Sequence, residues 1–189
     1  MRIGVLAVQG AFAEHIAKLE QLGEDVFEIR QRSDIEKSFD GLVLPGGEST
    51  AMRKLLNELG LYEPLKEKIQ NGLPVFGTCA GMILLAKKIE GGETSCFGTL
   101  DITVKRNAYG RQLGSFRCKD KFDENYIEMP FIRAPYAEQA GENVTVLSSH
   151  DDRIVAVRQA NQLATAFHPE LTDDTTVYEY FLEMIEKSA

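Results

Sequence analysis

The sequence predicts an α/β fold in which a mainly parallel, mixed β-sheet is flanked by helices, within a single domain over residues 1–189. Three observations predict this class. Short apolar runs recur in the first half of the chain, as expected of strands covered on both faces. Segments with apolar residues at helical spacing separate these runs, which is the order of repeated strand–helix–strand units. A length of 189 residues suits one domain with a sizeable core.

Apolar runs and helical spacing locate the elements of the first half. The sequence predicts strands at residues 2–8, 25–30, 41–44 and 73–76. It predicts helices around 12–19, 52–59 and 62–69, and a further helical pattern that runs through Leu85 to Ile89. A short helix is expected to begin at Ser33–Glu36, because S-x-x-E is the pattern of a capping box.

The second half changes character. Apolar runs at 144–147, 154–157 and 163–167 are separated by short turns, including Asp151-Asp152-Arg153, and this favours antiparallel strands added to the sheet. A final helix is expected at about 175–187. Residues 91–98 and 119–130 have the composition of exposed loops.

Charge and cysteine content exclude several classes of protein. A net charge of −8 argues against a nucleic-acid partner, because phosphate binding needs clustered Lys and Arg. No apolar stretch approaches the roughly 18 residues of a membrane span, and the first eight residues read as a strand rather than a signal peptide. Three widely spaced cysteines without a CxxC pair favour a reducing cytoplasm and predict neither a disulfide framework nor a metal site.

A cysteine occupies the centre of the pattern Gly77-Thr78-Cys79-Ala80-Gly81, between a predicted strand and a predicted helix. This is the G-x-nucleophile-x-G pattern of a nucleophile elbow, with cysteine in place of serine. The glycines allow a sharp turn, and the helix N-terminus favours the reactive thiolate. The N–H of Ala80 is expected to point at an oxyanion. Cys79 is therefore the predicted nucleophile, against the alternative of a buried structural cysteine.

The predicted partner of this thiol is His168. A thiolate that attacks an amide needs a group that protonates the leaving amine. His168 follows a predicted strand and opens His168-Pro169-Glu170, so Glu170 is placed to orient the imidazole. The alternative is a surface His-Pro turn. His15 and His150 are interpreted as structural.

The segment Pro45-Gly46-Gly47-Glu48-Ser49-Thr50 also lies between a strand and a helix. Adjacent glycines expose backbone N–H groups, which suit a phosphate or an oxyanion. The segment lacks the lysine and the spacing of a P-loop. Beside a cysteine nucleophile, an oxyanion loop is the preferred interpretation, and an ordinary turn is the alternative.

The motifs PGGEST, GTCAG and HPE together resemble those of the class I, triad-type glutamine amidotransferases, which have a flavodoxin-like fold. Other segments resemble the glutaminase subunits of pyridoxal 5′-phosphate synthases. These segments are residues 8–11 with 14–15, 46–50, 106–112, 131–135 and 168–171. The resemblance covers nearly the whole chain and leaves no room for a synthase domain.

The resemblance implies a glutaminase that hydrolyses L-glutamine through a Cys79 thioester, with His168 and Glu170 completing the triad. It implies an oxyanion site at Gly47 and Ala80, no cofactor, and a barrel-shaped synthase subunit as partner. The implied glutamine-binding residues are Gly47, Glu48, Ser49, Arg106, Ile132 and Arg133. Without the resemblance, both arginines read as solvated surface charges. Three alternatives stay open: a glutaminase serving another amidotransferase, a related cysteine hydrolase, and a silent binding subunit.

Overall fold

A computed structural model describes residues 1–106 and 114–188 of the chain. Within these ranges the chain alternates strands and helices up to residue 85 and is then mostly strand until the last helix. The strands are β1 (Arg2–Leu6), β2 (Asp25–Ile29), β3 (Gly41–Leu44), β4 (Val75–Thr78), β5 (Ala86–Ile89), β6 (Leu100–Lys105), β7 (Ser115–Phe122), β8 (Asn125–Ile132), β9 (Tyr136–Ala140), β10 (Thr145–His150), β11 (Arg153–Gln159) and β12 (Gln162–Thr165). The helices are α1 (Phe12–Gln21), α2 (Arg32–Ile35), α3 (Ser49–Glu58), α4 (Tyr62–Gln70), α5 (Ala80–Leu85), a 3-10 turn (Pro169–Leu171) and α6 (Thr176–Glu186).

Five strands form a parallel sheet in the order β2-β1-β3-β4-β12. With β12 as the fifth strand, this is the 2-1-3-4-5 order of flavodoxin-like folds, so the predicted fold class is confirmed. Parallel strands place all their carboxyl ends at one edge of the sheet. The segments that follow β1, β3, β4 and β12 therefore meet at that edge, where ligands of open α/β sheets bind.

The remaining strands extend the sheet beyond β12. β11 pairs antiparallel with β12, β10 and β9, and β9 pairs antiparallel with β6. Asp151 and Asp152 join β10 to β11 with φ of 48° and 60°, a turn that matches strand twist. The antiparallel strands predicted for the second half are confirmed. β12 differs in also pairing parallel with β4, which sequence alone did not indicate.

Helices cover both faces of the parallel sheet, and β4 shows how. The ring of Phe76 packs against His15 of α1 and against Tyr178 and Phe181 of α6. The next residue, Gly77, faces the opposite way and lies against α5. Among the described residues, none of the helices combines the length and the apolar character needed to cross a membrane.

Two predicted elements are wrong. Residues 86–89 form β5 rather than the end of a helix, because they pair with β6, which lies farther along the chain. Residues 119–130 are not a loop but most of the β7–β8 hairpin, a separate two-stranded sheet. Only one face of this hairpin packs on the rest of the protein. Polar residues on the other face interrupt the apolar pattern, which is why the sequence predicts a loop there.

Two smaller predictions have different outcomes. The observed capping box begins two residues earlier than predicted: Gln31, not Ser33, is the N-cap of α2, and Asp34 accepts hydrogen bonds from the N–H groups of Gln31 and Arg30, both at 3.1 Å. Residues 91–98 form a loop as expected, although Cys96 and Phe97 within it are buried.

We expect Gly81→Ala to destabilise the fold strongly. A Cβ atom at Gly81 would lie 2.1 Å from the carbonyl oxygen of Leu44, and backbone cannot move aside as a flexible side chain can. The overpacking should reduce the free energy of unfolding by at least about 3 kcal/mol, measured by urea denaturation.

The matched control is Gly114→Ala, because a Cβ atom there meets none of the described residues within 4 Å and the backbone φ is ordinary. This variant should change the free energy of unfolding by less than about 0.5 kcal/mol. Equal stability of the two variants would contradict the packing argument.

Candidate active site

Cys79 lies at the sharp turn between β4 and α5, as the sequence predicts. Its φ of 48° and ψ of −100° are unusual for a residue with a side chain, and the strain is typical of a nucleophile elbow. The turn is fixed by its N–H, which donates to the carbonyl of Thr165 in β12 at 2.8 Å. On either side, a Cβ atom at Gly77 would collide with the backbone of Gly81, and one at Gly81 would collide with the carbonyl oxygen of Leu44. The backbone thus presents the thiol at the sheet edge.

The loop after β3 lies against the segment after β1. The N–H of Glu48 donates to the side-chain oxygen of Gln9 at 2.9 Å, and the N–H of Ala11 donates to the carbonyl of Gly46 at 3.0 Å. Gly10, with φ of 96°, approaches Gly46 so closely that a Cβ atom would lie 1.9 Å from its carbonyl oxygen. These contacts hold Gly47 beside Cys79. Within the described ranges, no acceptor is recorded for the N–H groups of Gly47 and Ala80.

His168 and Glu170 form a buried pair immediately after β12. The imidazole Nδ1 lies 2.6 Å from Glu170 Oε1, and the residues are 7% and 6% exposed, so the surface-turn alternative is wrong. The backbone N–H of His168 donates to the carbonyl of Pro130 in β8 at 2.8 Å, which fixes the backbone that carries the ring. The other nitrogen, Nε2, is buried and has no hydrogen bond among the described residues.

The electrostatics of this pair follow from burial and from two neighbours. Burial lowers the pKa of His168, but the interactions with Cys79 and Glu170 outweigh burial and raise this pKa to about 10. Burial raises the pKa of Glu170, yet His15 and His168 together hold it below its usual value. Both shifts favour the charged forms, an imidazolium beside a carboxylate, in surroundings that are almost closed to water.

His15 is the residue that sequence reasoning missed. It is fully buried under the site, with Nε2 at 3.6 Å from Glu170 Oε2 and at 3.0 Å from Thr78 Oγ1. Its Nδ1 lies 2.7 Å from the hydroxyl of Tyr178. A polar residue on the buried face of a predicted amphipathic helix was the available signal, because such a residue needs a partner.

A cleft of about 420 Å³ opens over Cys79 and His168. Most of the predicted site residues line it, whereas Ala80 lies behind Cys79 as the first residue of α5 and Glu170 lies behind His168. The lining residues are Gln9, Ala11, Gly46, Gly47, Glu48, Ser49, Cys79, Ile83, Arg106, Ile132, Arg133 and His168. The tertiary structure thus brings together residues from six separate segments of the chain.

The two cleft arginines differ in their surroundings. Arg106 donates to Ser49 Oγ at 3.0 Å and pairs with Glu48 and Glu93, so its charge is already shared. Arg133, at the end of β8 with φ of 43°, has no ion pair with any other described residue. Arg133 is therefore the more available cation for a carboxylate ligand. The rest of the predicted 106–112 segment lies outside the described residues.

Glu48 contributes mainly to the local structure. Its carboxylate accepts hydrogen bonds from the N–H groups of Thr50 at 3.1 Å and Ala51 at 2.7 Å, and so caps α3. These backbone donors, Ala51 foremost, lower the pKa of Glu48. The negative N-cap and the bound Arg106 keep the loop after β3 in place.

The arrangement has the parts needed for acyl transfer. A cysteine at a helix start, an imidazole beside it and a carboxylate behind the imidazole match the geometry of a nucleophile, a base and an orienter. Among residues 1–106 and 114–188, no group of three or more His, Cys, Asp or Glu side chains is placed to hold a metal ion.

We expect Cys79→Ser and Glu170→Gln each to lower the pKa of His168 from about 10, because each removes a group that favours the imidazolium over the effect of burial. The pKa can be followed by NMR of the imidazole protons. Since the folded-state pKa lies above the ordinary 6.5, the pair stabilises the fold fully below that pH, and this contribution is lost as pH rises through about 10.

Cys118→Ser is the matched control, because it also removes a thiol but lies outside the cleft. If the pKa of His168 responded equally to all three substitutions, the proposed coupling between Cys79 and His168 would be wrong.

Proteins of known sequence and structure resemble this chain over nearly its whole length. A curated relative from Methanocorpusculum labreanum, pyridoxal 5′-phosphate synthase subunit PdxT, is 60% identical over 186 residues, which cover 98% of both chains. A relative of the same name from Desulfitobacterium hafniense is 52% identical, covering 98% of this chain and 94% of that protein.

A crystal structure of a glutamine amidotransferase is 42% identical and superimposes with a TM-score of 0.92, covering 97% of this chain and 98% of that one. Both the fold and the level of sequence identity therefore agree with the resemblance that the motifs indicated. The model of the SNO glutamine amidotransferase family matches residues 5–187, and the chain belongs to this family.

Proposed function

We propose that this chain is the glutaminase subunit of a pyridoxal 5′-phosphate synthase, folded as one glutaminase domain over residues 1–189. It hydrolyses L-glutamine to L-glutamate and ammonia for a barrel-shaped synthase subunit, which builds the coenzyme from a pentose phosphate and a triose phosphate. The observation that carries the proposal is that Cys79 and His168 meet at one cleft, with Glu170 held against His168 behind it. Family membership and the names of the relatives support it.

The first half-reaction makes an acyl-enzyme. The Cys79 sulfur attacks the side-chain carbonyl carbon of glutamine, and the carbonyl π electrons move to oxygen. The N–H groups of Gly47 and Ala80 stabilise this oxyanion, since neither is used elsewhere among the described residues. When the tetrahedral intermediate collapses, the C–N bond breaks and ammonia leaves with the proton that His168 supplies.

The second half-reaction releases glutamate. His168, now neutral, accepts a proton from water as the water oxygen attacks the thioester carbon. Collapse of this intermediate breaks the C–S bond and returns the Cys79 thiolate. Glu170 keeps the imidazole in the tautomer that presents Nε2 to the cleft, because its carboxylate holds Nδ1–H at 2.6 Å.

Glutamine recognition is assigned to the residues around the cleft. Arg133 takes the α-carboxylate, because it is the cleft arginine without an ion pair among described residues, and a guanidinium suits a carboxylate. Arg106 also lines the cleft and supports the loop from Gly47 to Ser49 through its hydrogen bond to Ser49. Ile132 contributes an apolar wall.

The proposed location is the cytoplasm. Cys79, Cys96 and Cys118 are all free thiols, and burial raises the pKa values of Cys96 and Cys118 to about 11, so neither is reactive. A nucleophilic thiol of this kind is preserved in a reducing compartment.

The function is tested by reconstitution with a purified pyridoxal 5′-phosphate synthase barrel subunit. We expect glutamine-dependent formation of pyridoxal 5′-phosphate with the wild-type chain. Cys79→Ala should reduce it by several orders of magnitude, because the nucleophile is lost. Ammonium chloride should restore coenzyme formation with either form, since it bypasses the glutaminase. The proposal fails if Cys79→Ala retains near wild-type glutamine dependence, or if only ammonium supports the wild-type complex.

We expect Arg133→Gln to raise the KM for glutamine roughly 10- to 100-fold with a smaller effect on kcat, because a charge-assisted hydrogen bond contributes about 1.5–3 kcal/mol. Steady-state glutaminase kinetics measure this split. Arg117→Gln is the matched control: Arg117 lies on β7 of the same hairpin and pairs with Glu128 outside the cleft. An unchanged KM in Arg133→Gln would exclude Arg133 as the carboxylate ligand.

A further inference from the structure

Glu170 has one carboxylate oxygen that the triad does not use. Oε1 holds the Nδ1 of His168, but Oε2 is buried and has no hydrogen bond among the described residues. The whole side chain is 0% exposed. A buried carboxylate oxygen without a donor is unfavourable, and the carboxyl group relieves this by taking up a proton. A protonated Glu170 would no longer hold His168 as a charged acceptor.

The nearest nitrogen on the far side of Glu170 belongs to His15. Its Nε2 lies 3.6 Å from Oε2, which is an electrostatic contact rather than a good hydrogen bond. The same nitrogen lies 3.0 Å from Thr78 Oγ1. Nε2 thus faces both Thr78 and Glu170. The contact is useful only if Nε2 carries the hydrogen.

Tyr178 decides which nitrogen of His15 carries the hydrogen. Burial raises the pKa of the Tyr178 phenol, so the hydroxyl keeps its proton. Among the described residues, this hydroxyl forms a hydrogen bond with Nδ1 of His15, at 2.7 Å. The hydroxyl therefore donates to Nδ1, and the hydrogen of the neutral imidazole lies on Nε2. Burial lowers the pKa of His15, so the ring offers an N–H dipole and not a full charge.

We propose that His15 is a positioning residue of the active site: its Nε2–H, oriented by Tyr178, keeps the Glu170 carboxylate ionised and directed at His168. The proposal rests on the glutaminase function above. It extends the site from the cleft through the sheet, because His15 belongs to α1, Thr78 to β4 and Tyr178 to α6. His15 does not line the glutamine cleft.

Other charges around the two residues do not replace this contact. Glu14 on the helix of His15 is negative and would repel the carboxylate, while β4 contributes only the uncharged Thr78. His168 faces Glu170 through the opposite oxygen. An outer cavity beside Glu170 is lined by further charged groups, of which Lys18 is buried: Glu14, Lys18, Arg117, Glu128 and Asp173.

The central test compares His15→Phe with His15→Gln. The phenyl ring removes both nitrogens, so Glu170 loses the N–H that faces it. Burial then raises the pKa of Glu170, and the acidic limb of the kcat/KM profile should move to higher pH by roughly one unit or more. The KM for glutamine should change little. The glutamine side chain can present an amide N–H near the position of Nε2, so His15→Gln should return the acidic limb towards that of the wild type.

Tyr178→Phe keeps the ring packing and removes only the hydroxyl, and so tests the proposal even if His15→Phe fails to fold. The Nε2 tautomer is no longer enforced, and the acidic limb should move in the same direction by a smaller amount. Tyr180→Phe is the matched control on the same helix, since its hydroxyl receives a hydrogen bond from Arg158 away from the site. This control should keep the wild-type profile.

The same variants are compared by the pH dependence of Cys79 alkylation with iodoacetamide, in the absence of glutamine and partner. One outcome would support the role of His15 and reject the proposed function: the chain has no glutaminase activity, yet His15→Phe shifts the alkylation profile and His15→Gln restores it. Glutaminase activity with wild-type profiles in folded His15→Phe and Tyr178→Phe would overturn the role of His15 and leave the function intact.

Discussion

Gly81 lies against the carbonyl oxygen of Leu44, at a separation that leaves no space for a side chain. This contact brings the first turn of α5 close to β3 and β4. The chain must turn sharply to enter the helix there, and Cys79 has a positive φ, which is strained for a residue with a side chain. A second close contact acts across the cleft, because a Cβ atom on Gly46 would lie 2.5 Å from the imidazole of His168. The relative positions of Cys79, the His168 imidazole and the loop from Gly46 to Ser49 thus depend on close approaches that glycine alone permits.

Burial gives the site its chemical character. His168 and Glu170 are almost removed from water. Burial disfavours the charged form of each residue alone, but it strengthens the attraction between the two charges. The pKa values follow the stronger of these effects, upward for His168 and downward for Glu170. The charge pair is therefore conditional on its buried neighbours. This is why a residue as remote from the cleft as His15 bears on the chemistry.

The β7–β8 hairpin shows how a peripheral element enters the site. Its second strand offers the carbonyl of Pro130 to the N–H of His168, and ends at Ile132, next to Arg133. The body of the sheet supplies the reactive groups, while the hairpin supplies an anchor and the cleft cation. Arg106, held by Ser49 and Glu93, keeps the loop after β3 in place. The proposed catalytic and binding groups thus lie on different parts of the fold.

The sequence by itself determined the first four strands of the parallel sheet, β1 to β4, and the turn at Cys79, because apolar runs, helical spacing and the Gly77–Gly81 pattern are local. It also indicated His168 and Glu170, which lie two residues apart. Tertiary structure alone decided that β12 lies beside β4, that residues 119–130 form strands, and that His15 reaches Glu170 across 155 residues of chain. These features arise from pairing and burial between distant segments, and such contacts leave no periodic trace in the sequence.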